Sequence, residues 1–256
     1  MSPSHAASAY LSPAGPRVFA HRGLAVDAPE NTLLAFARAV AAGVSYIETD
    51  VHASADGIAV IAHDPDLTRV AGSDRRVDQL TLAELEKVEL GHGQAFCTLA
   101  RALDAFPGTR FNIDVKSADA VSPTIDAVLS VGATKRVLVT SFDERRRRAV
   151  VRGLPGVASS ASARRLAPAL LATRLGITPA ARLALRGLVA VQVPEKAAGI
   201  AIATPAMIRN FHAAGVEVHV WTVNEPARMS ELLDLGVDGL ITDRADLALE
   251  VVQQRS

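Results

Sequence analysis

Eight short runs of strand character, separated by stretches with helical periodicity, constrain this chain of 256 residues more than any other feature. They lie at residues 17–20, in the first limb of the stretch 45–64, and at 111–115, 137–141, 157–160, 188–193, 216–221 and 239–242. Helical signals fill the gaps. Asn31 is placed to cap a helix whose apolar stripe is Leu33, Phe36, Ala37 and Val40 and which Gly43 ends. Further helices are expected at about 98–106 and 122–131, with caps at Asp143 and Asn224, and Thr178-Pro179 and Thr204-Pro205 each set a proline at a first helical position. Alternating β and α patterns imply a parallel sheet, and eight strands in a chain of this length close an α/β barrel, the (β/α)8 TIM barrel.

The stretch 45–64 carries the chemistry. Asp56-Gly57 suits a tight hairpin turn, so the residues on either side read as an out-and-back ribbon. Residues two apart on a strand point the same way, which makes Glu48 and Asp50 neighbouring carboxylates and lets the return limb bring His63 and Asp64 towards them. Like charges side by side repel unless a cation or proton lies between them. A divalent metal is the simplest resolution, because hard cations take carboxylate oxygens. After His63, residues 65–97 hold turns and a short helix announced by Thr81 and Glu84 as a capping box, with Leu80 and Leu85 as its staple. This is an insertion, too small to be a domain.

Formal charge is zero and 49% of residues are hydrophobic. The balance excludes the basic footprint of a nucleic-acid binder and gives no basic amphipathic segment of a membrane-surface protein. Arg145 to Arg148 read as the solvated face of a helix. Cys97 stands alone, so no intrachain disulfide forms. No run is long and apolar enough to span a bilayer, and residues 1–16 lack a signal-peptide pattern. The expectation is a flexible segment 1–16 and one barrel domain at 17–256, in the cytoplasm.

Placed on the barrel plan, His21, Glu48, Asp50, Asp114, Lys116, Ser141 and Trp221 all fall at the C-terminal ends of strands, where such barrels build active sites. Each alone has an ordinary reading as a cap, a turn or a solvated residue. Their convergence on one rim favours a site. His52 is expected to be solvated near the hairpin turn, and His5, His92, His212 and His219 show no partner pattern.

His21-Arg22-Gly23, Pro29-Glu30-Asn31-Thr32, Glu48-Thr49-Asp50-Val51, Asp56-Gly57, His63-Asp64 and Leu67-Thr68-Arg69, in this order and at these gaps, resemble the glycerophosphodiester phosphodiesterases. Val220 to Asn224 and Gly236 to Asp243 resemble the family's last two strands, while 145–210 matches weakly. The resemblance implies a barrel with one divalent cation, Mg²⁺ or Ca²⁺, on Glu48, Asp50 and Asp114. It also implies that His21 and His63 share acid and base work on a phosphodiester. Arg22 and Lys116 would hold phosphate oxygens, and Trp221 would pack beside the glycerol or fill the barrel mouth. Three positions depart from the pattern: Asp114 stands where Glu is common, Ser54 where Thr is usual, and Val70 where Thr is usual. Sphingomyelinase D phospholipases of the same barrel group use Asp at the first of these positions.

The reaction expected is hydrolysis of a small glycerophosphodiester to an alcohol and glycerol 3-phosphate. One alternative is a phospholipase D-like enzyme acting on lysophospholipid or sphingolipid head groups. That enzyme needs an apolar entry surface, and the insertion at 65–97 speaks against it. The other alternative is a non-catalytic phosphate-binding barrel. Neither nucleic acid nor stable membrane insertion is expected.

Overall fold

The computed structural model describes residues 9–197 and 200–255. Its strands are β1 (Arg17–His21), β2 (Tyr46–Ala53), β3 (Ala59–Ile61), β4 (Arg110–Val115), β5 (Val137–Thr140), β6 (Ala158–Ser159), β7 (Ala190–Pro194), β8 (Lys196–Ala197), β9 (Ile200–Ala201), β10 (Glu217–Trp221) and β11 (Gly239–Thr242). Eight of them run parallel in the order β6-β5-β4-β2-β1-β11-β10-β7. A parallel bridge between Ser160 and Ala190 joins the two ends and closes the barrel. The remaining limb, β3, lies antiparallel on β2 outside that path. The eight-stranded α/β barrel expected from the alternation is therefore the fold.

The parallel strands read as almost continuous apolar runs because both faces are covered, one by the barrel interior and the other by helices. Phe36, Leu99, Leu103, Phe111 and Val139 belong to the layer between strands and helices. A second cluster, with Val60, Leu67, Val77, Leu80, Leu85 and Phe96, fixes the insertion to β3. Its capping box from Thr81 to Glu84 is formed as expected. Tyr10, Phe19, Tyr46, Leu138 and Ile241 fill the barrel interior towards the strand starts.

Several local expectations are corrected. Residues 9–11 form a helical turn that buries Tyr10, so the part of segment 1–16 that is described is anchored by an aromatic side chain; residues 1–8 lie outside the described residues. The helix Leu33–Ala41 is capped by Thr32, whose Oγ1 accepts from the Ala35 N–H. Asn31 has φ +56° and cannot cap, because a capping residue takes extended angles. The buried face is Ala35, Phe36 and Ala39, whereas Ala37 and Val40 are exposed. At the ribbon turn only Gly57 has positive φ, and Asp56 accepts from the Ser54 hydroxyl instead of pairing with Gly57 in a two-residue turn. Thr204 caps its helix, but Thr178 makes no cap bond.

The arginine run is not one solvated face. Arg147 is buried in a bidentate pair with Glu144 and donates to Ser159. Arg146 reaches the Ser141 hydroxyl and the Lys116 carbonyl.

His219 is also more than a spectator. It is buried among the strands, 4.8 Å from the Phe19 ring, and its Nε2 lies 3.0 Å from Glu217 Oε2. Arg17 donates to both oxygens of the same carboxylate. A Cβ added to Gly239 would come within 2.7 Å of this imidazole, so close packing accounts for glycine there. Burial alone would raise the Glu217 pKa, but the bonds from His219 and Arg17 bring it down to about 2. A carboxyl depressed on folding stabilises fully above its unfolded pKa, and the contribution fades as pH falls through the folded value. Glu217→Gln is thus expected to cost about 3 kcal/mol at pH 7, shrinking as pH falls from about 4.3 towards 2. Urea unfolding at pH 7 and pH 3 checks this; an equal loss at both would remove the charge from the explanation.

Candidate active site

Strand register assembles the site. His21 on β1 pairs with Glu48 on β2, and β2 in turn aligns Glu48 with Asn112 and Asp50 with Asp114 on β4. Equal registers on adjacent parallel strands point these side chains into the barrel, in two layers near the strand ends. The acids are buried. Lys116 Nζ lies between the layer-mates, 2.8 Å from Asp50 Oδ1 and 2.6 Å from Asp114 Oδ2, so this cation is engaged by acids as well as facing the cavity. Arg22 Nε is 3.3 Å from Asp50 Oδ2.

The turn after β1 is strained to deliver these groups. Arg22 has φ +57°, uncommon for a residue with a side chain. Gly23 follows with φ +89°, and a Cβ there would meet Ala35 at 2.7 Å. Asn31, released from capping, donates to Asp50 Oδ2 and accepts from the Thr49 hydroxyl, which holds the carboxylate of Asp50 in place.

Each catalytic candidate histidine has its own carboxylate. His21 Nδ1 lies 2.7 Å from Asp243 Oδ1, and His63 Nδ1 lies 2.7 Å from Asp64 Oδ1. Such a bond fixes the tautomer and leaves the opposite nitrogen, Nε2, as the reactive one. Burial lowers the His21 pKa, but the Asp243 hydrogen bond and the charge of Glu48 outweigh it and raise the value. Asn224, expected to cap a helix, instead donates to Asp243 Oδ2 and accepts from the Asp243 N–H and the Thr242 hydroxyl; the cap position belongs to Glu225. On the other side, Arg69 binds Asp64 and Glu30, and Glu30 binds Arg22. The insertion is thereby tied to both ends of the site.

His52 is buried, not solvated, and its Nε2 donates to the His63 carbonyl, bracing the loop that carries His63. His212 pairs with Asp238. His5 lies outside the described residues.

Burial and the neighbouring Asp50 charge push Glu48 up to about 8. Asp114 is also raised, by burial that outweighs Lys116. Asp50 goes the other way, because Lys116 and Arg22 overcome its burial. Asp114 Oδ1 is buried without a hydrogen-bond partner. No group of three acidic, histidine or cysteine side chains among the described residues is already drawn together as a metal cluster. The donor chemistry nevertheless fits a hard cation: three buried acids, two with raised pKa and one with an orphaned oxygen.

His21, Arg22, Glu48, Asp50, His63, Asp114, Lys116 and Trp221 all line one cavity of about 420 Å³. Its opposite wall is apolar, with Phe142, Leu166 and Pro194, and Phe142 meets the Trp221 ring edge-on at 6.4 Å. Asp243, Asn224, Asn31 and His52 are the site's supports that sequence reasoning missed.

The model of the glycerophosphoryl diester phosphodiesterase family matches residues 21–247. The chain belongs to this family. Among relatives of this phosphodiesterase chain, the Mycobacterium tuberculosis protein named "Probable glycerophosphodiester phosphodiesterase 2" is 45% identical over 96% of this chain and 94% of its own. A glycerophosphodiester phosphodiesterase of Caldanaerobacter subterraneus is 28% identical, covering 93% and 98%. The fold is shared with a phosphodiesterase of Oleispira antarctica solved with its product sn-glycerol-3-phosphate, at TM-score 0.75 and 23% identity, over 93% of this chain and 97% of that one. No helix among the described residues is long and apolar enough to cross a membrane.

Proposed function

We propose that this chain hydrolyses glycerophosphodiesters to an alcohol and glycerol 3-phosphate, using His21 and His63 as the acid and base pair and a divalent cation held by Glu48, Asp50 and Asp114. The observation that carries this reading is the meeting of two carboxylate-backed imidazoles and three buried acids in one cavity. The names of the relatives and the product in the Oleispira enzyme support it. We read residues 17–256 as one catalytic domain with an insertion at 65–97, working in the cytoplasm.

Glu48, Asp50 and Asp114 would hold the cation, Mg²⁺ or Ca²⁺, which when bound would supply positive charge to offset that of the phosphodiester. Arg22 and Lys116 attract the oxygens of the anion. With Nδ1 of each histidine committed to Asp243 or Asp64, proton transfer falls to the two Nε2 atoms: one takes a proton from the attacking hydroxyl or water, and the other gives one to the leaving alkoxide. Trp221 and Phe142 pack against the carbon skeleton of the substrate.

The apolar wall favours a second reading, in which an acyl-bearing phosphodiester is cleaved in the manner of a lysophospholipase D. A panel separates the two. Glycerophosphocholine, glycerophosphoethanolamine and lysophosphatidylcholine are assayed with Mg²⁺ or Ca²⁺ after chelation. The first reading expects turnover of the two water-soluble diesters, and the second expects lysophosphatidylcholine to be preferred. Turnover of none with either ion would defeat both.

A further inference from the structure

Zero net charge conceals a segregation. Residues 145–194 contain ten arginines and no aspartate, glutamate or lysine, which leaves seventeen basic residues against twenty-seven acidic ones elsewhere. Four of the ten are used internally. Arg146 serves Ser141, Arg147 serves Glu144 and Ser159, Arg165 serves Glu144 and the carbonyls of Ala184 and Arg186, and Arg182 donates to the Ala213 carbonyl. Arg182 is nonetheless exposed, as are the remaining six.

Apolar side chains share this surface. The helices Ala163–Arg174 and Thr178–Leu185 pack on each other, burying Ala169, Ala172, Ala181 and Leu185. Leu171, Leu175 and Leu183 are left 61%, 63% and 72% exposed, with Ile177 between them at 48%. Four of the nine large hydrophobic side chains exposed among the described residues thus fall within thirteen positions. Arg164, Arg174, Arg182 and Arg186 interleave with them, and the ion pairs of this segment are those of Arg147 and Arg165 with Glu144. Arg164, Pro168, Leu171 and Leu175 follow helical spacing, so charge and leucine run along one exposed stripe.

We propose that the outer face of these two helices docks on an anionic lipid bilayer. Exposed leucines in a group call for an apolar partner, and arginines around them that make no ion pair call for negative charge; an anionic membrane interface offers both at once. A second copy of the chain would set like charges against each other, and nucleic acid would leave the leucines in water. The first turn of the same stripe-bearing helix lines the active cavity through Ala163 and Leu166, so docking here brings the cavity close to an interface where amphiphilic phosphodiesters reside.

Co-sedimentation of the full chain with vesicles tests this, and it reads binding, not turnover, so it stands apart from the phosphodiesterase reading. Vesicles mixing phosphatidylglycerol into phosphatidylcholine are expected to bind about tenfold or more tightly than phosphatidylcholine alone, with the difference lost near 1 M salt, where the Debye length is about 3 Å. Arg164→Glu, Arg174→Glu, Arg182→Glu and Arg186→Glu combined should abolish binding. Leu171→Ser, Leu175→Ser and Leu183→Ser combined should weaken it at unchanged charge. Circular dichroism and turnover of water-soluble glycerophosphocholine should be the parent's in both variants. Equal pelleting with the two vesicle types would overturn the proposal. So would an arginine variant that still binds, a leucine variant that breaks an oligomer without touching lipid binding, or binding of duplex DNA in place of vesicles.

Discussion

His21→Ala and His63→Ala are each expected to lower kcat on glycerophosphocholine by about a hundredfold or more, with little loss of folded protein. Both side chains are partly open to the cavity, so truncation leaves no large void in the core. The loss should be unequal across leaving groups. Whichever histidine protonates the departing alkoxide matters most when that alkoxide is a poor leaving group, and its alanine variant should recover much of its rate on an activated aryl ester. The other variant should stay slow on both. Asp243→Asn and Asp64→Asn keep the size of the supporting side chains but upset the tautomer, and milder losses, on the order of tenfold, are expected from each. Near-parent turnover of choline release by either histidine variant would break the pairing of His21 with His63.

The second large effect concerns the three acids. Asp50→Ala is expected to weaken Mg²⁺ and Ca²⁺ binding by about a hundredfold or more, read by calorimetric titration independently of turnover. Asp50 is the centre of the set: Lys116, Arg22 and Asn31 all address its carboxylate. Asp114 allows a finer comparison. Its side chain is one methylene shorter than the Glu common in the family, and it is buried against Lys116. Asp114→Asn removes charge at constant size and should weaken both ions. Asp114→Glu pushes the carboxylate further into a pocket fitted to Asp, which octahedral Mg²⁺ tolerates less well than longer-bonded Ca²⁺, so preference should move towards Ca²⁺. If Asp114→Asn titrates like the parent with both ions, this residue is a strand-end polar group paired with Lys116 and no more.

The barrel was legible because each parallel strand is buried on both faces and so announces itself as a run of Val, Ile, Leu and Phe. β11 coincides with the expected 239–242, and β4, β5, β7 and β10 differ by a residue or two at their ends. Two-residue periodicity on β2 placed Glu48 and Asp50 together, and equal register with β4 brought Asp114 beside Asp50. What escaped were the contacts between residues far apart in the chain. Asn31 and Asn224 look like helix caps because Asn is a strong capping residue, yet left-handed geometry at Asn31 and the approach of Asp243 to Asn224 turned both into supports for site carboxylates. His52 follows the hairpin turn's polar pattern, and only the fold shows it buried against the His63 backbone. Lys116, read as a phosphate ligand, also bridges two acids, a pairing that depends on strand register more than on its own neighbours. Averaged charge likewise concealed the arginine-rich, acid-free stretch at 145–194.

The most direct measurement follows glycerophosphocholine by phosphorus NMR in oxygen-18 water, with the divalent ion present, for the parent and for the His21→Ala, His63→Ala double variant. The parent is expected to yield glycerol 3-phosphate carrying one labelled oxygen and unlabelled choline, because the bond broken is the one between phosphorus and the choline oxygen. The double variant is expected to leave the diester intact over the same period. Phosphocholine as the product, label in the choline, or equal turnover by the double variant would contradict hydrolysis at this pair of histidines.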